Sequence, residues 1–112
     1  MEREVSSKPY LTADKFLESR ANVYYYGVLT FVFFQTELYD QKIEKAIETL
    51  SSRYLAYPEC RHLPTKSRMY RNIILDSHLI IFRVTEQRIE VLDIVYSASS
   101  IGKIRNTRKI RI

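Results

Sequence analysis

The chain has little cysteine, glycine and proline, and it has no tryptophan. Of its 112 residues, one is Cys (Cys60), two are Gly and three are Pro. A single cysteine excludes an internal disulfide framework and a cysteine-rich zinc site, and it fits a reducing, cytoplasmic setting. With glycine only at Gly27 and Gly102, the sequence has no glycine-rich phosphate-binding loop. No cluster of metal ligands stands out, so we expect neither a metal nor a cofactor.

Long hydrophobic runs are also missing. The N-terminus reads MEREVSSKPYL and has no apolar stretch of the kind found in signal peptides. The most apolar segment, residues 23–34, is shorter than the roughly 20 residues that cross a bilayer. We interpret this segment as a buried helix face and expect no membrane partner. The hydrophobic content of 46% is sufficient for a core, and we expect one domain over residues 1–112.

Acidic residues are scarce in the second half of the chain. Residues 1–60 hold 7 Lys or Arg and 9 Asp or Glu, a net charge of −2, whereas residues 61–112 hold 11 and 4, a net charge of +7. From Ile101 onward the tail has five basic residues and no acidic one. This division favours a polyanionic partner, either nucleic acid or an acidic protein segment. The alternative is a solvated basic face that only aids solubility.

The first half of the chain predicts two helices. We expect the first helix over residues 13–26, with Thr12 as N-cap and Asp14 in the first turn, and a turn at Gly27. The run Tyr24–Tyr26 is also compatible with a strand. Before this helix, Glu2–Ser7 is either a short first strand or a frayed terminus.

The second helix has the clearest periodicity. Apolar residues recur at helical spacing from Phe31 onward, and the helix is expected to end near residues 51–52. We predict that one face of it packs on a sheet. That face consists of Tyr39, Ile43, Ala46, Ile47 and Leu50.

The second half predicts an irregular loop followed by three strands. Residues 53–68 contain two prolines and four cations, and a loop of this length in a small domain is often functional. Residues 70–96 form three β-branched runs separated by short polar turns, which is typical of an antiparallel meander. The basic tail from about residue 101 is compatible with an edge strand or a disordered arm.

These landmarks follow an order that resembles the RelE/ParE superfamily of type II toxin–antitoxin toxins. The landmarks are a helix ending in Leu50, then Tyr57-Pro58, a basic loop, Leu63-Pro64 and a strand opening with Tyr70-Arg71. The segment His78–Val84 is similar to the family's central strand, and Ile89–Tyr96 is similar to its last core strand. The resemblance covers about residues 36–101.

The resemblance implies an α+β fold, with an N-terminal helical hairpin packed on a small twisted antiparallel sheet of three to four strands. It also implies a cognate acidic antitoxin, a toxin–antitoxin hetero-oligomer and one of two targets. ParE-like members inhibit DNA gyrase, and RelE-like members cut mRNA on the ribosome. A small basic nucleic-acid-binding module without toxicity is a third hypothesis from another class.

Two residues are the candidates for activity. The guanidinium of Arg71 can grip phosphate oxygens, and the phenol of Tyr96 can donate a proton or stack on a base. We expect them to share one edge of the sheet. Nuclease members of the family carry further cations where this chain has Leu79 and residues 97–100 (SASS), so the sequence favours the ParE-like function over RNA cleavage.

The basic half supplies the remaining candidates, which would bind the target or a nucleic acid. They are Arg61, Lys66, Arg68, Arg83, Lys103 and Arg105. Neither His62 nor His78 is paired with a carboxylate at a recognisable spacing, and we interpret both as ordinary polar residues.

Overall fold

The computed structural model describes residues 7–112 as a four-stranded sheet with helices on both faces. The elements are β1 (Tyr10–Thr12), α1 (Asp14–Thr30), α2 (Phe33–Glu48), α3 (Leu50–Arg53), β2 (Tyr70–Ile74), β3 (His78–Val84), β4 (Ile89–Tyr96) and α4 (Ile101–Asn106), with short 3-10 turns at Tyr54–Ala56 and Thr107–Lys109. The α+β fold class and the helical hairpin predicted from the sequence are confirmed.

The strand order is β1-β4-β3-β2. The antiparallel meander β2–β3–β4 is present as predicted, whereas β1 joins β4 in parallel, with Tyr10 opposite Ile89 and Thr12 opposite Val91. The predicted strand at Glu2–Ser7 falls mainly outside the described residues. The first described strand begins later, at Tyr10, because that is where the backbone reaches the free edge of β4.

The start of α1 differs from the prediction. Thr12 is not the N-cap, because it is the last residue of β1. Ala13 occupies the cap position instead, without a side-chain hydrogen bond, and its backbone N–H donates to the carbonyl of Val91 at 2.8 Å. The sheet therefore fixes the point at which the helix begins.

Gly27 does not interrupt α1, and the predicted turn at this position is wrong. The helix continues to Thr30. A Cβ atom at Gly27 would lie 2.9 Å from Cγ2 and Oγ1 of Thr36 on α2. Glycine is therefore needed because the two helices approach closely here, and not because the backbone turns.

The main core lies between the hairpin and the sheet. Ile43, Ile47 and Leu50 are buried, and Tyr39 and Ala46 pack against the same cluster, which confirms the predicted face of the second helix. Around them the cluster gathers buried residues of α1 and of strands β2 to β4. Those residues are Phe16, Ile73, Ile80, Phe82, Ile89, Val91 and Ile94.

A second, smaller core covers the other face of the sheet. Cys60, Leu63 and Ile104 pack there against Ile81 and Val95. The tail is therefore neither an edge strand nor a disordered arm.

The tail instead forms the helix α4, which has its own cap. The side-chain oxygen of Ser100 accepts a hydrogen bond from the backbone N–H of Lys103 at 3.2 Å. The side chain of Ile104 is 3% exposed, so the helix is fixed to the sheet by one apolar contact near its middle.

Residues 23–34 are not a buried helix face. They form the far end of the hairpin, and most of their large apolar side chains face solvent, for example Leu29 at 69% and Phe34 at 67%. The periodicity of the sequence places these residues on helices but does not show whether the sheet reaches far enough to cover them. Within residues 7–112, no helix combines the length and hydropathy required to cross a membrane.

Candidate functional site

Three aromatic side chains meet where β3 begins and β4 ends. The register pairs His78 with Tyr96, and their rings stack with centroids 4.6 Å apart and an interplanar angle of 28°. From α2, the hydroxyl of Tyr39 lies 2.7 Å from Nδ1 of His78. Tyr96 remains 48% exposed whereas His78 is 6% exposed, so Tyr96 presents the accessible side of a supported aromatic stack.

The surroundings of His78 favour its neutral form. The Tyr39 hydroxyl shares a hydrogen bond with Nδ1 and accepts another from the backbone N–H of Ser77 at 3.4 Å. Nε2 has no partner among the described residues. Burial lowers the pKa of His78 below its ordinary value of 6.5. The ring is therefore neutral at pH 7 and is a poor partner for phosphate.

Two pockets open beside this aromatic cluster. The larger, of about 400 Å³, lies between the hairpin and the β2–β3 turn, and Tyr39, His78 and Tyr96 line it. The smaller, of about 310 Å³, lies between α1 and α4, where Lys15 and Lys103 join His78 and Tyr96. The structure thus brings together two of the predicted site residues, Tyr96 and Lys103, although they belong to different elements.

The smaller pocket also contains a buried carboxylate. Asp93 is 4% exposed, and burial raises its pKa, although the backbone N–H of Ile94 donates to its Oδ1 at 2.8 Å. Lys15 and Lys103 act in the opposite direction on the Asp93 pKa. Because Asp93 lies near Lys15 and Lys103, the pocket is less cationic than the two lysines alone would make it.

Arg71 does not lie near Tyr96, and the prediction that they share one edge of the sheet is wrong. Arg71 pairs with Phe82, which is opposite Val91 on β4. Tyr96 lies five residues further along β4, a separation of roughly 16 Å at the usual rise of a strand. Because β2 and β4 run in the same direction, the start of β2 and the end of β4 fall at opposite ends of the sheet.

The Arg71 guanidinium is already engaged at its own end of the sheet. Its Nη1 donates to the backbone carbonyl of Tyr57 at 2.7 Å, and its backbone forms a bridge with Glu59. These contacts hold the loop that follows the 3-10 turn against the outer edge of β2.

The loop and the tail helix carry the remaining exposed predicted cations, which we call the cationic face. The second core joins the loop to α4 through Leu63 and Ile104, so both elements cover the sheet face opposite the hairpin. The cationic face comprises the predicted residues Arg61, Lys66, Arg68, Lys103 and Arg105, all of which are exposed. Within the described part of the chain, none of these five forms a salt bridge.

Arg68 also has an unusual backbone. Its φ of 55° lies in the left-handed region, which side chains other than glycine adopt at a cost. The preceding loop is closed by a hydrogen bond from the Arg68 backbone N–H to the carbonyl of Thr65 at 3.2 Å. The loop thus turns at this residue and directs the chain into β2.

Arg83 differs from the other predicted cations because its guanidinium is occupied. Its Nε donates to Oε1 of Glu90 at 2.7 Å, and its Nη2 donates to the carbonyl of Ile110 at 3.1 Å. Although burial opposes the charged form, hydrogen bonds from Arg83 and Arg88 hold the pKa of Glu90 below its usual value. Arg83 thus ties the C-terminal tail to the sheet.

Metal ligation finds no support in the side-chain arrangement. Across residues 7–112, no three His, Cys, Asp or Glu side chains group closely enough to hold a metal ion. Burial raises the pKa of Cys60, which keeps the thiol protonated and unreactive.

Comparison with known proteins places this arrangement in a family. Residues 10–100 match the family described as the ParE toxin of the type II toxin–antitoxin system parDE. The chain belongs to the ParE toxin family. The match includes β1, both hairpin helices and the whole sheet, so the family spans the fold described above. No curated protein matches the sequence of this ParE toxin.

The fold agrees with a solved structure. The chain is similar to one titled "Chromosomal ParDE TA system from P. aeruginosa", with a TM-score of 0.66 and 16% sequence identity. The similarity covers 81% of this chain and 97% of that one. At this identity the similarity shows the fold alone and does not identify the functional residues of this ParE toxin.

Sequence reasoning missed part of the site. His78 was interpreted as an ordinary polar residue, but it is the buried partner of Tyr96. Lys15 and Asp93 were not singled out, although both line the smaller pocket. The apolar run after His78 gives one available signal, because a histidine followed by Leu79 and Ile80 at the start of a core strand is placed to become buried.

Proposed function

We propose that this ParE toxin inhibits a bacterial topoisomerase of the gyrase class by binding the enzyme as a protein partner. The observation that carries the proposal is the separation of Arg71 from Tyr96. Metal-free RNA cleavage requires a phosphate-binding cation close to a proton donor. Here the arginine lies at one end of the sheet, bonded to the Tyr57 carbonyl, and the tyrosine at the other.

The cationic face is the proposed contact surface for both the target and an acidic antitoxin. Its five exposed cations belong to two elements that meet in the second core, and an acidic segment is their natural complement. One segment that binds this face would exclude another, which explains how an antitoxin neutralises the toxin. Arg83 contributes indirectly, because it fixes the tail that carries Arg105.

Assays of supercoiling, mRNA cleavage and growth distinguish gyrase inhibition from the alternative functions. We expect purified toxin to inhibit DNA supercoiling by gyrase and to leave ribosome-bound mRNA intact. We expect controlled expression in bacteria to arrest growth, with DNA defects that arise before translation declines. mRNA cleavage with normal supercoiling would contradict the proposal. Full growth with nucleic-acid binding alone would favour the non-toxic module.

A matched pair of variants tests the surface. The double variant Arg61→Glu/Lys66→Glu reverses two charges on the cationic face, and Lys45→Glu combined with Lys42→Glu does the same on α2. We expect only the first variant to lose inhibition and to slow antitoxin association at low salt. Equal loss of inhibition in both variants would show that inhibition depends on the net charge of the toxin and not on the cationic face.

A further inference from the structure

The larger pocket beside the aromatic cluster, which we call the aromatic pocket, has room for a small molecule. Its volume of about 400 Å³ falls within the range of roughly 300–1,000 Å³ that is usual for ligand pockets. Helices α1 and α2 form one part of its wall, and the β2–β3 turn with the adjoining ends of β3 and β4 forms the other. The pocket is thus built by elements from both halves of the chain.

Aromatic rings dominate the lining of the aromatic pocket. The rings of Tyr26 and Phe31 meet edge to face with centroids 6.4 Å apart, and His78 stacks on Tyr96. Aromatic side chains prefer offset-stacked or edge-to-face contacts with other rings. A planar aromatic ligand therefore suits this lining. Six residues contribute a ring to it, namely Tyr24, Tyr26, Phe31, Tyr39, His78 and Tyr96.

The charges of the aromatic pocket are already balanced. Its described lining includes two carboxylates, Asp40 and Asp76, and neither lysine nor arginine. Arg20 Nε donates to Asp40 Oδ1 at 3.0 Å, and Lys42 Nζ donates to Asp76 Oδ2 at 3.1 Å. An anionic ligand would meet no cation in this lining, and a cationic ligand would compete with Arg20 and Lys42 for the two carboxylates. The pocket therefore favours a neutral ligand.

Two buried polar atoms of the lining lack a hydrogen-bond partner. Thr36 and His78 are each 6% exposed, and within residues 7–112 neither Thr36 Oγ1 nor His78 Nε2 forms a hydrogen bond. By contrast, the Tyr24 hydroxyl is bonded to Glu37 and the Tyr39 hydroxyl to Nδ1 of His78. Because buried polar groups nearly always have a partner, these two atoms represent hydrogen-bonding capacity that a ligand can use.

We propose that the aromatic pocket binds a small, neutral, planar aromatic molecule that carries a hydroxyl group. The rings of the lining contact the aromatic body of the ligand, and its hydroxyl forms a hydrogen bond with Thr36 Oγ1 or His78 Nε2. A hydroxyl both donates and accepts, so it suits either tautomer of His78. The proposal concerns a ligand of the toxin alone and depends neither on the target nor on the cationic face.

Calorimetric titration of the full-length toxin with 2-naphthol and with naphthalene tests the proposal. The two probes share the same fused rings, and only 2-naphthol carries a hydroxyl. We expect one saturable site that binds 2-naphthol about tenfold more tightly, because its hydroxyl completes the hydrogen bonding of a buried group. Decahydro-2-naphthol keeps the hydroxyl without the aromatic rings, and we expect it to bind at least about tenfold more weakly than 2-naphthol.

A matched pair of double variants identifies the hydrogen-bonding groups. Thr36→Val/His78→Phe removes both groups and keeps side chains of similar shape, and we expect it to bind 2-naphthol and naphthalene about equally. Thr30→Val/His62→Phe makes the same two changes outside the aromatic pocket, and we expect it to retain the wild-type preference. Circular dichroism verifies that both variants are folded.

Amide chemical shifts of the labelled wild-type toxin locate the site without relying on a variant. We expect 2-naphthol to shift the amides of Gly27, Thr36 and Ser77, which line the aromatic pocket. Shifts centred on Lys15 and Lys103 of the smaller pocket would overturn the proposal, as would equal wild-type affinities for 2-naphthol and naphthalene or an undiminished preference in the folded Thr36→Val/His78→Phe variant. Absence of saturable 2-naphthol binding would also overturn it and would assign both unpartnered atoms to water.

Discussion

Replacing Gly27 with Ala tests whether helix proximity, rather than backbone freedom, requires glycine in α1. Within a helix this change alone should stabilise the protein by about 0.5–1 kcal/mol, because alanine loses less backbone entropy on folding. The added Cβ would, however, lie 2.9 Å from two atoms of the Thr36 side chain. Overpacking of this kind costs about 1–3 kcal/mol, so we expect Gly27→Ala to lower the free energy of unfolding by roughly 1–2 kcal/mol.

Removing the obstructing side chain should reverse the sign of the effect. In a Thr36→Ala background the two clashing atoms are absent, and Gly27→Ala should then be neutral or stabilising, with a coupling energy of about 1–3 kcal/mol between the two sites. Gly102→Ala is the control, because nothing lies within 4 Å of a Cβ at that helical position.

Urea unfolding, monitored by circular dichroism, measures the stability of Gly27→Ala, Thr36→Ala, the double variant and Gly102→Ala. Equal stabilisation by Gly27→Ala and Gly102→Ala in the wild-type background would refute the reasoning. It would mean that α1 and α2 separate easily where Gly27 faces Thr36.

Three further predictions concern the core, the aromatic cluster and the loop. Ile43→Ala should cost about 2–5 kcal/mol of unfolding free energy, since Ile43 is 1% exposed, whereas Leu38→Ala, at 48% exposure, should change it by less than about 0.5 kcal/mol. Because the folded state lowers the pKa of His78, the unfolded state binds a proton more readily. Stability should therefore fall as the pH drops below 6.5, and His78→Gln should flatten that dependence in a pH series of urea titrations. Arg68→Gly should raise the melting temperature because it relieves the left-handed strain at φ 55°, and an Arg68→Ala variant that stabilises equally would contradict this.

Local periodicity was enough to predict the elements whose partners lie nearby in the sequence. The spacing of Ile43, Ile47 and Leu50 identified the buried face of α2, because a helix that covers a sheet must repeat its apolar residues at that interval. The meander was equally clear, since β2, β3 and β4 are joined by short polar turns. In each case the sequence pattern that predicts the element repeats within a few residues.

Features that depend on distant residues could not be predicted in this way. The parallel partner of β1 lies near residue 89, and the role of Gly27 depends on Thr36 in another helix. The stacking of Tyr96 on His78 follows from strand register, whereas residue type alone suggested a pairing with Arg71 that the register excludes. Composition likewise could not show that most large apolar side chains of residues 25–36 are left exposed by their own chain.

The parallel pairing of β1 with β4 also determines when a newly made chain can complete its fold. Tyr10 leaves the ribosome long before its partner Ile89. Until then the start of α1 has no strand to fix it, and the hairpin has no sheet beneath it. Closing so long a loop is slow compared with forming local helices. The helices of this chain are therefore made before the strand that fixes them to the sheet.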